Sequence, residues 1–300
     1  DDAGTYSCVV TNAAGSVTSG GAVLTVNPVN PPRLINVSIL TSIESAGDSF
    51  TMGYVVGGKG TTGAKPLVVR AAGPSLAALG VPDTIDDPKI EFFAGATKTG
   101  ENDNWDGSAT LANAMASVGA FAYTGSASRD AAAAFSVTTS DNSVKVAATG
   151  AGTGAVIAEI YEATPAASFT TADPRLVNIS VLKPLGTGFT VGFVVGGSGS
   201  KTVLIRAVGP TLGTAFGVPG AAADPQLKFF SGQTQIGAND NWGGTAELAA
   251  AFTAVAAFAL PATSKDAALV ATLQPGSFTA QVSGVGGTTG VAIVEVYEVP

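Results

Sequence analysis

Hydrophobic positions along this chain fall in short runs rich in Val, Ile, Leu and Phe, each closed by Gly, Asn, Asp or Pro. Runs of that length and composition predict β-strands separated by turns. The clearest stretch is Val55-Val-Gly-Gly-Lys-Gly-Thr-Thr-Gly-Ala-Lys-Pro-Leu-Val-Val-Arg-Ala-Ala-Gly-Pro-Ser-Leu76. It ends one apolar run at paired glycines, crosses a polar turn, enters a second run that carries one arginine, and stops at Gly-Pro. It returns as Val194-Val-Gly-Gly-Ser-Gly-Ser-Lys-Thr-Val-Leu-Ile-Arg-Ala-Val-Gly-Pro-Thr-Leu212. Strands are predicted near residues 33–40, 49–57, 66–72, 89–94, 131–137, 143–149 and 154–162, with counterparts in the later copy. Leu111, Met115 and Val118, spaced i, i+4 and i+7, predict one helix behind a candidate cap at Ser108; Leu248, Phe252 and Val255 behind Thr245 repeat it. The predicted fold is all-β: tandem antiparallel β-sandwiches, jelly-roll-like, each with one short helix closing an end, preceded by a β-hairpin.

The duplication extends well beyond the opening stretch. Arg33-Leu-Ile-Asn-Val-Ser matches Arg175-Leu-Val-Asn-Ile-Ser, and Asp87-Pro-Lys-Ile-Glu-Phe-Phe matches Asp224-Pro-Gln-Leu-Lys-Phe-Phe. Asn102-Asp-Asn-Trp105 matches Asn239-Asp-Asn-Trp242, and Ala158-Glu-Ile-Tyr-Glu162 matches Val294-Glu-Val-Tyr-Glu298. A period of about 136 residues is a duplicated domain, far longer than a solenoid unit of roughly 20–50. Expected boundaries are 1–31 for a hairpin and the stiff linker Asn27-Pro-Val-Asn-Pro-Pro32, 32–163 for the first sandwich and 164–300 for the second.

Asp2-Ala-Gly-Thr-Tyr6-Ser-Cys8, followed by Asn12-Ala-Ala-Gly15, resembles the last two strands of an immunoglobulin I-set domain. In that family the tyrosine makes a corner and the cysteine bonds to an upstream partner. Cys8 is the only cysteine, so that bridge cannot form within these residues. A lone hairpin is marginal in water. Either these strands belong to a domain whose earlier strands lie elsewhere, or they add to another sheet by β-augmentation. Residues 33–300, through Val-Val-Gly-Gly, Arg-Ala-x-Gly-Pro, Asn-Asp-Asn-Trp and Glu-x-Tyr-Glu, resemble a Gly-rich β repeat of large secreted bacterial proteins. More loosely, they are similar to β-sandwich modules at the C-termini of secreted peptidases. The resemblance implies an exported accessory or structural module, extracellular or on the cell surface, without catalytic residues.

Composition narrows the function classes. The chain is 46% hydrophobic and 12% charged, with a net charge of −8 and its 14 Lys and Arg scattered, so the basic footprint of a nucleic-acid binder is missing. Apolar runs are too short and too interrupted for a membrane-spanning helix. Histidine is absent, which removes Ser-His-Asp and Cys-His chemistry and most catalytic zinc sites. No enzyme activity is expected.

Four groups of residues carry candidate chemistry. Asn102, Asp103, Asn104 and Asp106, with Asp240 in the second copy, offer clustered oxygens of the kind Ca²⁺ accepts; no other cofactor is expected. The competing reading is an Asx turn with Trp105 or Trp242 capping the core, rather than stacking on a sugar. Arg70 and Arg206 interrupt apolar strands and predict one partly buried ion pair per repeat, with Glu159 or Asp130 for Arg70 and Glu295 or Asp266 for Arg206. Asn36-Val-Ser38 and Asn178-Ile-Ser180 match the N-glycosylation acceptor but fall inside predicted strands. Tyr6, Cys8, Val10, Leu24 and Val26 are the side chains by which the hairpin would join another sheet. The expectation is a structural protein whose partner is itself, as a filament or matrix subunit; the alternative is a binding module for a surface glycan or other ligand within a larger secreted protein.

Overall fold

The computed structural model describes residues 4–24, 30–138 and 141–300. The opening segment forms β1 (Gly4–Tyr6), β2 (Val9–Asn12), β3 (Gly15–Thr18) and β4 (Ala22–Leu24). The first repeat contains β5 (Arg33–Ile43), β6 (Ser49–Gly57), β7 (Lys65–Ala72), α1 (Pro74–Ala77), β8 (Pro88–Ala94), β9 (Thr97–Asn102), α2 (Ala109–Ser117), β10 (Ala131–Val137), β11 (Asp141–Ala148) and β12 (Gly154–Glu162). The second contains β13 (Arg175–Pro184), β14 (Phe189–Gly196), β15 (Lys201–Val208), α3 (Pro210–Phe216), β16 (Pro225–Ser231), β17 (Thr234–Asn239), α4 (Ala246–Ala254), β18 (Ala267–Leu273), β19 (Gly276–Gly284) and β20 (Val291–Glu298). The fold is all-β and antiparallel, with a few short helices.

Each repeat splits its strands between two sheets in jelly-roll order. In the first, β5-β12-β7-β10 faces β6-β11-β8-β9; in the second, β13-β20-β15-β18 faces β14-β19-β16-β17. The inward side chains of both layers form one cluster, with Ile39, Leu67 and Val69 meeting Met52, Ile90 and Val144 in the first repeat. In the second, Phe193, Phe229 and Phe278 stack at 5.8–5.9 Å.

The two sandwiches are not separate bodies, and the 163/164 boundary does not divide two independent cores. Strand β5 pairs with β14 from Arg33↔Gly196 to Leu40↔Thr190, and β6 pairs with β13 from Gly57↔Arg175 to Thr51↔Leu182. Each sheet therefore runs through both repeats under a pseudo-twofold relation, and a single pair, Leu34↔Leu176, links the two sheets. The sequence repeat Asn-x-Ser and its partner Gly-(Tyr/Phe)-Val-Val meet at this seam. A Cβ on Gly53 would lie 2.5 Å from Ser180 Oγ, and one on Gly192 would lie 2.7 Å from Ser38 Oγ. A side chain at either glycine would force the facing serine hydroxyl to turn away.

Among the described residues each repeat has two α-helices, and they cover a sheet face instead of closing an end. The outer face of β7, β10 and β12 presents Val68, Ala132 and Tyr161, which α1, α2 and the following connection bury with Leu76, Leu111, Met115 and Tyr123. Leu204, Val208, Leu212, Trp242, Phe252 and Tyr297 form the same third layer in the second repeat. The helices start where expected: Ser108 Oγ accepts from Leu111 N at 3.1 Å and Thr245 Oγ1 from Leu248 N at 3.4 Å.

Tyr54, 2% exposed on β6, sits in the inner core, and burial pushes its hydroxyl from 10.0 up to about 12. A raised folded-state value means that stability is intact below the unfolded value and falls as pH rises from about 10 to 12. The expected slope from this group is about 1.4 kcal/mol per pH unit. Tyr54→Phe should remove one proton's worth of that slope in urea unfolding between pH 10 and 12; an unchanged slope contradicts the assignment.

Candidate functional site

The pseudo-twofold relation places two equivalent clefts beside the seam, each where the C-terminal end of a repeat's nine-residue helix approaches its first strand. One, of about 410 Å³, is lined by Arg33, Asn36, Val118, Tyr161, Glu162 and Val194. The other, of about 580 Å³, is lined by the matching Arg175, Asn178, Val255, Tyr297, Glu298 and Val55.

At the floor of the first cleft Glu162 gathers two cations. Arg33 Nε donates to its Oε2 at 2.9 Å, and Lys65 Nζ donates to its Oε1 at 2.5 Å and to Thr164 Oγ1 at 2.8 Å. Thr164 N also donates to Glu162 Oε1. Burial alone raises the Glu162 carboxyl, but the Lys65 and Thr164 hydrogen bonds and both cations hold it below its ordinary value. Burial lowers the Lys65 ammonium against the pull of Glu162. Phe169, from the connection between the repeats, closes the group: the Arg33 guanidinium lies 3.6 Å and Lys65 Nζ 4.7 Å from its ring centroid. In the second cleft Arg175 Nε donates to Glu298 Oε2 at 2.9 Å, Lys201 Nζ stands 3.3 Å from that oxygen, and Glu298 Oε1 accepts from Leu34 N across the seam. Sequence reasoning passed over these clusters, although Arg33/Arg175, Lys65/Lys201 and Glu162/Glu298 occupy matching positions in both copies.

Deeper in each repeat lie the two interrupting arginines, both fully buried. Arg70 Nε donates to Glu159 Oε2 at 2.7 Å and its guanidinium lies against Phe121 and Tyr123 at 3.9 and 4.8 Å. Arg206 donates through Nε and Nη2 to Glu295 Oε2 at 2.9 and 2.5 Å. Tyr161 and Tyr297 donate to the other oxygens of Glu159 and Glu295 at 2.7 Å, and burial first, then those carboxylates, raise both hydroxyls. The glutamates, not the aspartates, take the arginines. Asp130 accepts from Gly73 N at 2.8 Å and Ser75 N at 3.2 Å and from the Ser75 and Ser128 hydroxyls, while Asp266 accepts from Gly209 N, Thr211 N and the Thr211 hydroxyl. These aspartates pin the turn after each Gly-Pro.

Of the residues considered for Ca²⁺, Asn102 and Asp106 line one cleft, but backbone N–H groups occupy their side-chain oxygens. Asn102 Oδ1 accepts from Ala132 N at 3.0 Å and its Nδ2 donates to Asn104 O, while Asp106 Oδ1 accepts from Ser108 N at 2.8 Å in an Asx turn. Asp103, Asn104 and Asp240 are exposed, and among the described residues no group of three or more His, Cys, Asp or Glu is placed to hold a metal ion. The indoles are not sugar platforms: Trp105 and Trp242 are 8% and 5% exposed, and their Nε1 atoms donate to Gly125 O and Pro261 O. Asn36 is buried, with Nδ2 donating to Ile160 O at 3.3 Å, and Asn178 is half-buried and bonded likewise to Val296 O; neither offers a free acceptor amide in an exposed loop. Of the assembly residues, Tyr6, Cys8, Val10 and Leu24 are exposed; Val26 lies outside the described residues.

No family model matches the chain, and none of the curated proteins does. Among solved structures it is similar to PNGF-II, at 8% identity and a TM-score of 0.21, over 87% of this chain and 60% of that one. A likeness at that level identifies no fold or activity. Among the described residues no helix is long and apolar enough to cross a membrane.

Proposed function

We propose that this chain is an extracellular structural module of a bacterial surface or matrix protein, joining copies of itself into a filament, with residues 1–28 supplying part of the contact. The supporting observation is the opening segment. Every described residue from 4 to 24 is exposed, and Tyr6, Val9, Val10, Val17, Val23 and Leu24 leave 48–75% of their surface uncovered. Apolar side chains in that density on two short ladders call for a partner sheet.

Free sheet edges fit that need. Strand β9 is guarded by Lys98 and Glu101, paired with each other and with Glu91 and Lys89. Strands β10, β17 and β18 carry no charged residue; Asn102 and Asn239 take Ala132 N and Ala268 N at the start of β10 and β18, and the uncharged remainder of an edge accepts further strands. A hairpin of one copy on an edge of the next is a heterologous contact, which propagates as a fibre. Deleting residues 1–28 should abolish polymers seen by electron microscopy and light scattering; polymers that persist unchanged rule out the donated hairpin.

The two clefts favour a second reading, a ligand-binding module of a larger secreted protein. Glycan binding by the chain lacking residues 1–28 would select it.

A further inference from the structure

We propose that the first repeat carries a binding site for a small neutral aromatic molecule bearing a carbonyl oxygen, in a cavity between the edge strands β9 and β10. The cavity, of about 500 Å³, is floored by Tyr54, Phe92 and Asn142 and walled by Gly100 of β9 and by Ala133 and Phe135 of β10. Its size falls in the range of roughly 300–1,000 Å³ that holds small ligands. Among the described strands β9 pairs with β8 alone and β10 with β7 alone, so no backbone ladder seals this side of the sandwich. The second repeat is an internal comparison, in which larger side chains stand at two of the matching positions. Leu269, at the place of Ala133, reaches the opposite edge: a Cβ on Gly237, the counterpart of Gly100, would lie 3.6 Å from its Cδ2. A Cβ on Gly100 would meet only Phe92, at 3.6 Å. Phe278, stacked with Phe193 and Phe229 at 5.8 Å, has the shorter Asn142 as its counterpart across from Tyr54. Phe135, at the place of Ala271, recovers part of that volume by packing edge-on against Phe92 at 4.7 Å.

Tyr54 decides the chemistry of the ligand. It is 2% exposed, it lines the cavity, and its hydroxyl has no hydrogen-bond partner among the described residues. Burial keeps that hydroxyl protonated at neutral pH, and therefore a donor. A buried donor without an acceptor carries the full cost of its lost hydration, which a ligand oxygen relieves. The Phe92 and Phe135 rings offer the faces and edges against which a further ring packs. The charged residue of the lining, Glu101, is already tied to Lys89 at 2.8 Å and Lys98 at 2.5 Å. An ion would enter without a counter-charge, so the site selects a neutral molecule. It stands apart from the N-terminal strands and from both seam clefts.

The probe is 6-propionyl-2-(dimethylamino)naphthalene, a neutral fluorescent aryl ketone, titrated with the intact chain. Saturable binding at one site per chain is expected, with emission shifted to the blue by the apolar surroundings. Ala133→Leu, which restores the side chain that the second repeat carries, should weaken binding about tenfold or more while the thermal midpoint holds. Tyr54→Phe should weaken it about threefold to tenfold and move the bound emission further to the blue, because the ketone loses its donor. Intermolecular nuclear Overhauser contacts from the naphthyl protons to the Phe92 and Phe135 rings locate the probe in the parent, whatever the folding of the variants. Absence of saturable binding, equal binding by a folded Ala133→Leu variant, a Tyr54→Phe variant unchanged in both affinity and emission, or contacts confined to strands β1–β4 or the seam clefts overturns the proposal.

Discussion

Replacing Arg206 by methionine is expected to destabilise the protein by about 3–5 kcal/mol, read as a lower urea midpoint. Both Arg206 and Glu295 are nearly sealed from solvent, at 0% and 6% side-chain exposure. Removing the arginine leaves the carboxylate with the Tyr297 hydroxyl at 2.7 Å and no cation. It also orphans Phe258 O, which accepts from Nη1 at 2.6 Å, and takes the guanidinium from between Phe258 and Phe252. Distance alone would not single this pair out. Lys265 stands as close to Asp224, at 2.5 Å, but its side chain is 60% exposed, and exposed pairs contribute about 0–1 kcal/mol. Burial decides, because it is the uncompensated charge that costs most. The double variant Arg206→Met with Glu295→Leu should therefore recover much of the loss. A single variant within about 1 kcal/mol of the parent would show that the pair is not the anchor of the outer layer.

This ion pair was legible in the sequence because an arginine and a glutamate each interrupted an apolar strand, and the interruption occurred twice. The helix starts were legible for a similar local reason: a hydroxyl three residues before Leu111 and Leu248 reaches their N–H groups. Strands β9 and β17 were not. Thr97–Asn102 and Thr234–Asn239 are exposed along most of both faces, so no alternation of apolar and polar residues marks them. The oxygens of Asn102 and Asp106 looked like ligands because sequence shows a side chain's chemistry and not its partner; Ala132 N and Ser108 N take them. The clefts stayed hidden for a different reason, since Arg33, Lys65 and Glu162 come from strands distant in the chain that meet only when β5, β7 and β12 lie side by side.

The seam was invisible for a reason of its own, and it leads to the second large effect: residues 174–300 alone are expected to form a tight homodimer. Because the copies are alike, no local feature says whether β5 belongs beside the second strand of its own repeat or of the other. In the whole chain the answer is the other. Cutting the repeats apart would strip β6 from β13 and β5 from β14, leaving two long edges per molecule with unpaired backbone groups. A second copy can heal both at once, since its β13 resembles β5 and its β14 resembles β6. The side chains permit it: Ser180 meets Gly53 and Ser38 meets Gly192 in the intact protein, so Ser180 of one copy would meet Gly192 of its mate on each side. The contact is isologous and closes as a dimer. Light scattering should give twice the monomer mass, and the thermal midpoint should rise with concentration. Gly192→Val, which places a branched side chain where a Cβ alone lies 2.7 Å from a serine oxygen in the parent, should abolish the dimer and leave soluble aggregate or unfolded chain. A stable, dilute monomer of residues 174–300 would mean that each sandwich closes without the seam, and that the shared sheets are a consequence of linkage, not a requirement of the fold.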